Sequence, residues 1–221
     1  MTRYNIKESP PEINLVFSWG SGDFNSNITA NISLKNHQIT IRIVGGGIFM
    51  SLKVILLNGA SSSGKSTLAK ALQKYIKDNR KEEYVVISID DFLSMAVNKP
   101  IYEDDVFEIS PMLCQKVLSI LKIGRGVIID HVITSERIYK QLIETLKEYT
   151  LIKIQVMCPL NELEKREKER KDRYVGSAKA SFEYLYPQKG YDLVLNTLEL
   201  SAKECSKKYV GCYSKWCFIF I

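Results

Sequence analysis

The chain has 221 residues, 45 % of them apolar and 25 % charged, which is enough apolar material to bury a core and too much for disorder throughout. Set against a typical domain of ~150 residues, this length predicts one domain with additions rather than two. The net charge of +6 does not call for a nucleic-acid partner, and five cysteines without C-x-x-C or zinc-like spacing, beside only two histidines, speak against a disulfide scaffold or a structural metal.

No stretch of 18 apolar residues occurs, and the N-terminus lacks a basic flank followed by a leader core. A cytoplasmic protein with no membrane partner is therefore expected. Residues 1–49 open on polar, turn-rich text and then alternate weakly through Ile32, Leu34, Ile39, Ile41 and Ile43 around Lys35 and Asn36. This predicts an N-terminal extension that is a weak hairpin or disordered. Met50 is preceded by GGGIF, whose codons can include a GGAGG-like ribosome-binding sequence. Translation is expected to start at Met50 in the natural protein.

The pattern changes at Lys53. KVILLN is an apolar run of buried-strand type, followed by a glycine-rich loop and by STLAKALQKYIKDN, where Leu68, Leu72 and Ile76 recur on one helical face. YVVISI from Tyr84, GVIID from Gly126 and LIKIQVM from Leu151 are further continuous apolar runs, and YDLVLNT from Tyr191 reads as a last core strand. Helical spacing marks Ser110 to Leu121 and Ser135 to Tyr149 between them. Two-face burial with alternating helices predicts an α/β fold with a mostly parallel central sheet in three layers. The tail from Ser201 begins as helix, but residues 210–221 lack an amphipathic period and stay unassigned.

GASSSGKS, from Gly59 to Ser66, matches G-x-x-x-x-G-K-[ST] in full between a strand and a helix. Its glycines let the backbone close around phosphate oxygens, so that the amides of Ser61, Ser62, Ser63 and Gly64 and the helix start at Thr67 face the anion. Lys65 is expected to reach the outer phosphates and Ser66 to hold Mg2+. ATP and Mg2+ are thus the expected cofactors.

A phosphate cradle alone does not separate a kinase from a nucleotide switch. Asp90 and Asp91 follow the second strand, where parallel sheets expose catalytic groups beside the cradle. Asp90 is expected to accept the proton of an acceptor hydroxyl, with Asp91 as a helix cap. Asp130 ends the third strand, where a carboxylate holds Mg2+ directly or through water. His131, which follows it, either orients substrate or hydrogen-bonds at the sheet edge.

From Asn161 to Arg173 acidic and basic residues are interspersed, as on a solvated helix. Arg166, Arg170 and Arg173 fall on one helical side, and a lid over 161–180 is expected to use one or more of them to clamp the transferring phosphoryl group. Acceptor contacts are expected from Phe92 to Phe107, through Met95, Val97, Ile101, Tyr102, Val106 and Phe107. No guanine-reading N-K-x-D segment occurs, which places a regulatory ATPase behind a transfer enzyme.

Taken together, LNGASSSGKST, SIDDFLSM, GVIIDHVI, REKERKDRYVGSAKA and GYDLVLNT resemble the chloramphenicol phosphotransferase family, in order and spacing, from Lys53 to about Tyr209. The resemblance implies a P-loop kinase domain over 50–209 and ATP-dependent phosphorylation of a small-molecule hydroxyl. In the family's named member this is the primary hydroxyl of chloramphenicol, and antibiotic resistance is the outcome. It also implies Asp90 as the catalytic base, Lys65 and Ser66 as the cradle, Arg170 and Arg173 as lid residues, and Asp130 as the third segment's carboxylate. Ser181 and Tyr186 stand where the family often has glutamine and histidine, so a kinase of a nucleotide, sugar or other metabolite is the alternative. A monomer or weak homo-oligomer is expected.

Overall fold

The computed structural model describes residues 13–19, 26–35, 38–43, 53–95, 101–170 and 175–216. The chain divides into two compact units, Met1–Met50 and Ser51–Ile221.

The first unit is an antiparallel sheet of three strands, β1 (Ile13–Trp19), β2 (Ser26–Lys35) and β3 (Gln38–Ile43), with β2 in the middle. The expected hairpin corresponds to β2 and β3, where Ile32 pairs with Ile41 and Lys35 with Gln38. β1 is the strand that the polar opening text concealed. Within INLVFSW the residues Ile13, Leu15, Phe17 and Trp19 keep a period of two, and Ile13 pairs with Ile32 and Phe17 with Ile28.

The second unit is built on a five-stranded parallel sheet. In chain order its elements are β4 (Lys53–Asn58), α1 (Lys65–Arg80), β5 (Tyr84–Ser88), α2 (Ile89–Leu93), α3 (Glu103–Lys122), β6 (Gly126–His131), α4 (Glu136–Leu146), β7 (Thr150–Met157), α5 (Leu160–Glu169), α6 (Ser177–Glu183), β8 (Leu193–Asn196) and α7 (Ala202–Trp216). The spatial order is β5-β6-β4-β7-β8. β4 therefore lies at the centre, paired with β6 on one side and β7 on the other.

Alternate residues of the strands feed two cores. Val54, Leu56, Val127 and Ile129 pack with Leu113 and Val117 of α3 and Ile138 and Leu142 of α4. Ile55, Leu57 and Ile128 pack on the opposite face with Leu68, Leu72 and Ile76 of α1 and Cys205 and Tyr209 of α7. This is the three-layer α/β arrangement predicted from the continuous apolar runs, because a strand covered by helices on both faces has no solvent side.

Three helices differ from the sequence expectation. α3 starts at Glu103 and not Ser110, since Pro111 lies inside the helix and three acidic residues fill the true first turn. Proline one residue past a serine imitates a helix start. α4 ends at Leu146, three residues early, after a start capped by Ser135 Oγ, which accepts from the Ile138 amide. α7 continues through Gly211 to Trp216, so much of the unassigned tail is helical. Cys205 and Tyr209, buried against α1, hold it.

Among the described residues, no helix is long and apolar enough to cross a membrane.

Candidate active site

The carboxyl ends of β4, β5 and β6 open beside the N-terminus of α1, the position where parallel sheets bind ligands. Residues 59–64 connect β4 to α1. Gly59 is required by the sheet: a Cβ there would lie 2.3 Å from the carbonyl oxygen of Val156 on β7. Gly64, directly before α1, has φ +89°, a conformation that glycine adopts without strain. Between them the Ser63 amide donates to Ala60 O at 3.2 Å.

Lys65 is 6 % exposed, and its Nζ donates to the Ala60 carbonyl at 2.8 Å, so the ammonium is folded over the loop. The hydroxyls of Ser62 and Ser63 are buried and make no hydrogen bond within the described residues. Such orphaned groups are uncommon. Together with the loop geometry, they fit a cradle completed by an anionic ligand.

Ser66 Oγ donates to Asp130 Oδ2 at 2.6 Å, joining α1 to the end of β6. Two hard oxygens from opposite elements suit Mg2+, which takes one or two protein ligands and completes its octahedron with waters and phosphate oxygens. Among the described residues no group of three or more His, Cys, Asp or Glu side chains could hold a metal ion. The Ser66 and Asp130 oxygens would fit an ion that draws its remaining ligands from water and phosphate.

Ser61, Ser62, Gly64, Lys65, Ser66, Ser88, Asp90, Asp130 and Arg170 line one pocket, with Ile89 and Val132 as apolar wall. Of the residues expected at the cradle, Gly59, Ser63 and Thr67 do not line it. Gly59 and Ser63 are buried behind it, and Thr67 is exposed on α1. Asp90 lies in the first turn of α2, half-buried, while Asp91 is exposed. The cap expected of Asp91 is supplied instead by Ser88, whose Oγ accepts from the Asp90 amide at 3.3 Å.

His131 pairs in register with Asn58 across β6 and β4 and is 1 % exposed. Burial pushes its imidazole down to about 4, against a smaller upward effect of the Val132 backbone, with Lys65 lowering it further and Asp90 raising it. The ring is neutral near pH 7, and its Nδ1 has no hydrogen-bond partner among the described residues. Asn58, fully buried, donates from Nδ2 to Tyr186 O at 2.9 Å and to Tyr191 Oη at 2.7 Å, and accepts from the Ile133 amide at 3.0 Å. Burial raises the Tyr191 phenol to about 12, so it stays a donor, to Pro187 O.

The expected single row of lid arginines is not formed. α5 ends at Glu169, and Arg170 leaves it with extended backbone, φ −90° and ψ 126°. Arg170 reaches the pocket. Arg166, still helical, is bound elsewhere: its Nε donates to Glu162 at 2.9 Å, and its two terminal nitrogens donate to Thr197 Oγ1 and O, each at 3.2 Å. Thr197 Oγ1 in turn donates to Ser63 O at 2.8 Å. Arg166 thus braces the back of the cradle. Arg173 lies outside the described residues.

Ser181 on α6 accepts from the Ser61 amide at 2.8 Å, and the Tyr186 ring packs edge-on against Tyr139. Of the expected acceptor residues, Met95 and Tyr102 are 64 % and 65 % exposed. Val106 and Phe107 pack on the α3–α4 core, with Arg137 over the Phe107 ring at 4.5 Å. Val97 lies outside the described residues. Asn58, Ser88 and Thr197 were not singled out from sequence. All three sit inside motifs that carried the resemblance, which was the available signal.

A family model described as chloramphenicol phosphotransferase-like protein matches residues 52–213. No curated protein is similar enough in sequence to match. Among solved structures, the Mycobacterium tuberculosis APS kinase in complex with AMPPNP and APS is 16 % identical with a TM-score of 0.62, covering 73 % of this chain and 97 % of that one. A gluconokinase from Sinorhizobium meliloti is 15 % identical with a TM-score of 0.55, covering 75 % and 97 %. A sugar kinase from Janibacter is 18 % identical with a TM-score of 0.54, covering 72 % and 92 %. At these identities the likeness is one of fold.

Proposed function

This chain belongs to the chloramphenicol phosphotransferase-like family and is an ATP-dependent small-molecule kinase of P-loop fold, and from that premise we propose that it phosphorylates a hydroxyl of a small polar metabolite, with Asp90 as the catalytic base. The observation that carries the reading is the convergence of Lys65, Asp90, Asp130 and Arg170 on one pocket.

In the proposed reaction the acceptor oxygen attacks the terminal phosphorus of ATP. Its proton passes to the Asp90 carboxylate, the new O–P bond forms, and the bond to the bridging oxygen breaks to leave ADP. Lys65, from the cradle, and Arg170, from the residue after α5, would offset negative charge on the terminal phosphoryl group as it builds in the transition state. Ser66 and Asp130 would hold Mg2+, which when bound neutralises phosphate oxygens. His131, neutral and buried, adds no charge beside Asp90.

The polar acceptor is favoured by the outward or core-packed placement of Met95, Tyr102, Val106 and Phe107, which among the described residues leaves little apolar wall for an aromatic antibiotic. The fold's solved relatives include kinases of sugars and of APS. A chloramphenicol-like acceptor, with resistance as its outcome, is the second reading, favoured by the family description.

Phosphate transfer from labelled ATP to a panel of sugars, nucleosides and hydroxylated antibiotics tests the assignment. Asp90→Asn is expected to lower transfer by about 10²–10⁴-fold while nucleotide binding persists. Lost nucleotide binding in that variant would remove Asp90 from the role of base. Hydrolysis of ATP that no acceptor stimulates would instead favour a regulatory ATPase.

A further inference from the structure

We propose that Glu167 is a positioning residue that sets Arg170 against the phosphate pocket; the proposal rests on the kinase reading of that pocket. Glu167 stands in a run of solvated charges, with Lys165, Lys168 and Glu169 exposed around it, yet it is only 3 % exposed itself. A carboxylate is buried only where other groups replace its water.

The replacement is specific. Glu167 Oε2 accepts from the Gly176 amide at 2.8 Å and Oε1 from the Ala178 amide at 2.6 Å. These amides belong to the start of α6, where Gly176 has φ +96° and no side chain of its own to serve as a cap. The orphan donors of that helix end are met by a carboxylate nine and eleven residues upstream.

That closure fixes both ends of the connection between α5 and α6. Arg170 begins the connection, three residues after Glu167, and lines the pocket. α6, held by Glu167, is itself attached to the cradle through Ser181, which accepts from the Ser61 amide at 2.8 Å. Glu167 and Ser181 thus link the two helices to the cradle, with Arg170 at the pocket they adjoin. An arginine left on an unfastened connection would have to be ordered each time phosphate arrived, whereas preorganised charge carries no such cost.

The test is a double-mutant cycle read by calorimetric binding of AMPPNP with Mg2+, which needs no acceptor, together with thermal melting of each protein. Arg170→Ala is expected to weaken binding by about tenfold, the scale of one charge-assisted contact. Glu167→Ala is expected to weaken it similarly, and the double variant no further than either single change. Glu167→Gln, which keeps shape and one carbonyl acceptor, falls between and covers the case in which the alanine variant fails to fold. Losses that multiply to about a hundredfold, or a Glu167 variant that melts lower yet binds AMPPNP like the parent, would overturn the assignment. Failure of the parent protein to bind AMPPNP would overturn the phosphate-pocket reading first, and the two results are distinct.

Discussion

The floor and the cover of the proposed phosphate pocket are built on different principles. The floor, from Asn58 to Ser66 with the ends of β5 and β6, is contiguous or in strand register, and main-chain geometry aims its groups: a helix start, a positive φ at Gly64, a lysine folded onto Ala60 O. The cover, from α5 to α6 and Thr197, is assembled by side chains reaching across the fold, as Glu167 reaches Gly176 and Arg166 reaches Thr197. The backbone of the floor cannot be changed without touching the fold. A cover held by side chains can be loosened one bond at a time, so the two regions are expected to separate in experiment.

The largest effect is expected at the floor's charge. Lys65→Met should lower kcat/KM for phosphate transfer by about 10³-fold, the usual cost of one preorganised transition-state contact. Global stability should change little, because the ammonium donates to a carbonyl of its own loop. Steady-state kinetics with urea unfolding measures both quantities. A fall in stability as large as the fall in rate would mean that Lys65 is chiefly structural.

Gly59→Ala is expected to do the reverse. A Cβ placed 2.3 Å from Val156 O must push β4 and β7 apart, and overpacking against backbone should cost about 3 kcal/mol or more. The readout is the urea midpoint. An unchanged midpoint would break the claim that the floor is coupled to the sheet, since Gly59 would then be serving only the phosphate.

This division also explains what could be read from the sequence. The floor was legible because its constraints are local: GASSSGKS states its own turn, and the continuous runs KVILLN and GVIID report two-sided burial in text a few residues long. Asp90 and Asp130 could be placed because strand ends in a parallel sheet share one edge. The cover was not legible. Arg166, Arg170 and Arg173 look equivalent by helical spacing, and only the end of α5 at Glu169 separates Arg166 from Arg170. Glu167 looks like its charged neighbours because burial depends on α6, ten residues further along. Pro111 misplaced the start of α3, since one proline after a serine carries the same local signal at a helix start as inside a helix.

The floor should also report its own pH dependence. With its imidazole held down to about 4 by burial, His131 is neutral in the folded protein, whereas the unfolded chain takes up that proton below about 6.5. Its contribution is therefore complete above pH 6.5 and is lost as pH falls toward 4, by about 3 kcal/mol at most. Urea unfolding at pH 7.5 and 4.5, for the parent and His131→Gln, isolates this part from that of the carboxylates. A variant that keeps the parent's full loss on acidification would show that His131 reaches solvent. It would also detach β6 from the rigid floor.

The smallest effect lies where floor and cover meet. Thr197 Oγ1 donates to Ser63 O at 2.8 Å and accepts from Arg166 at 3.2 Å, so one hydroxyl ties the cradle's back to α5. Thr197→Val keeps the shape and removes these bonds together with the longer one to Met157 O, at a cost of about 1 kcal/mol. If floor and cover are distinct, that loss should appear in unfolding, and transfer should fall only a few-fold, because Lys65 and Asp130 keep their own supports. Adding Arg166→Ala should then cost less in Thr197→Val than in the parent, since its threonine partner's hydroxyl is already gone. Full additivity of the two changes would mean that Arg166 is held by Glu162 and the Thr197 carbonyl without help from the hydroxyl, and that floor and cover do not communicate through that hydroxyl.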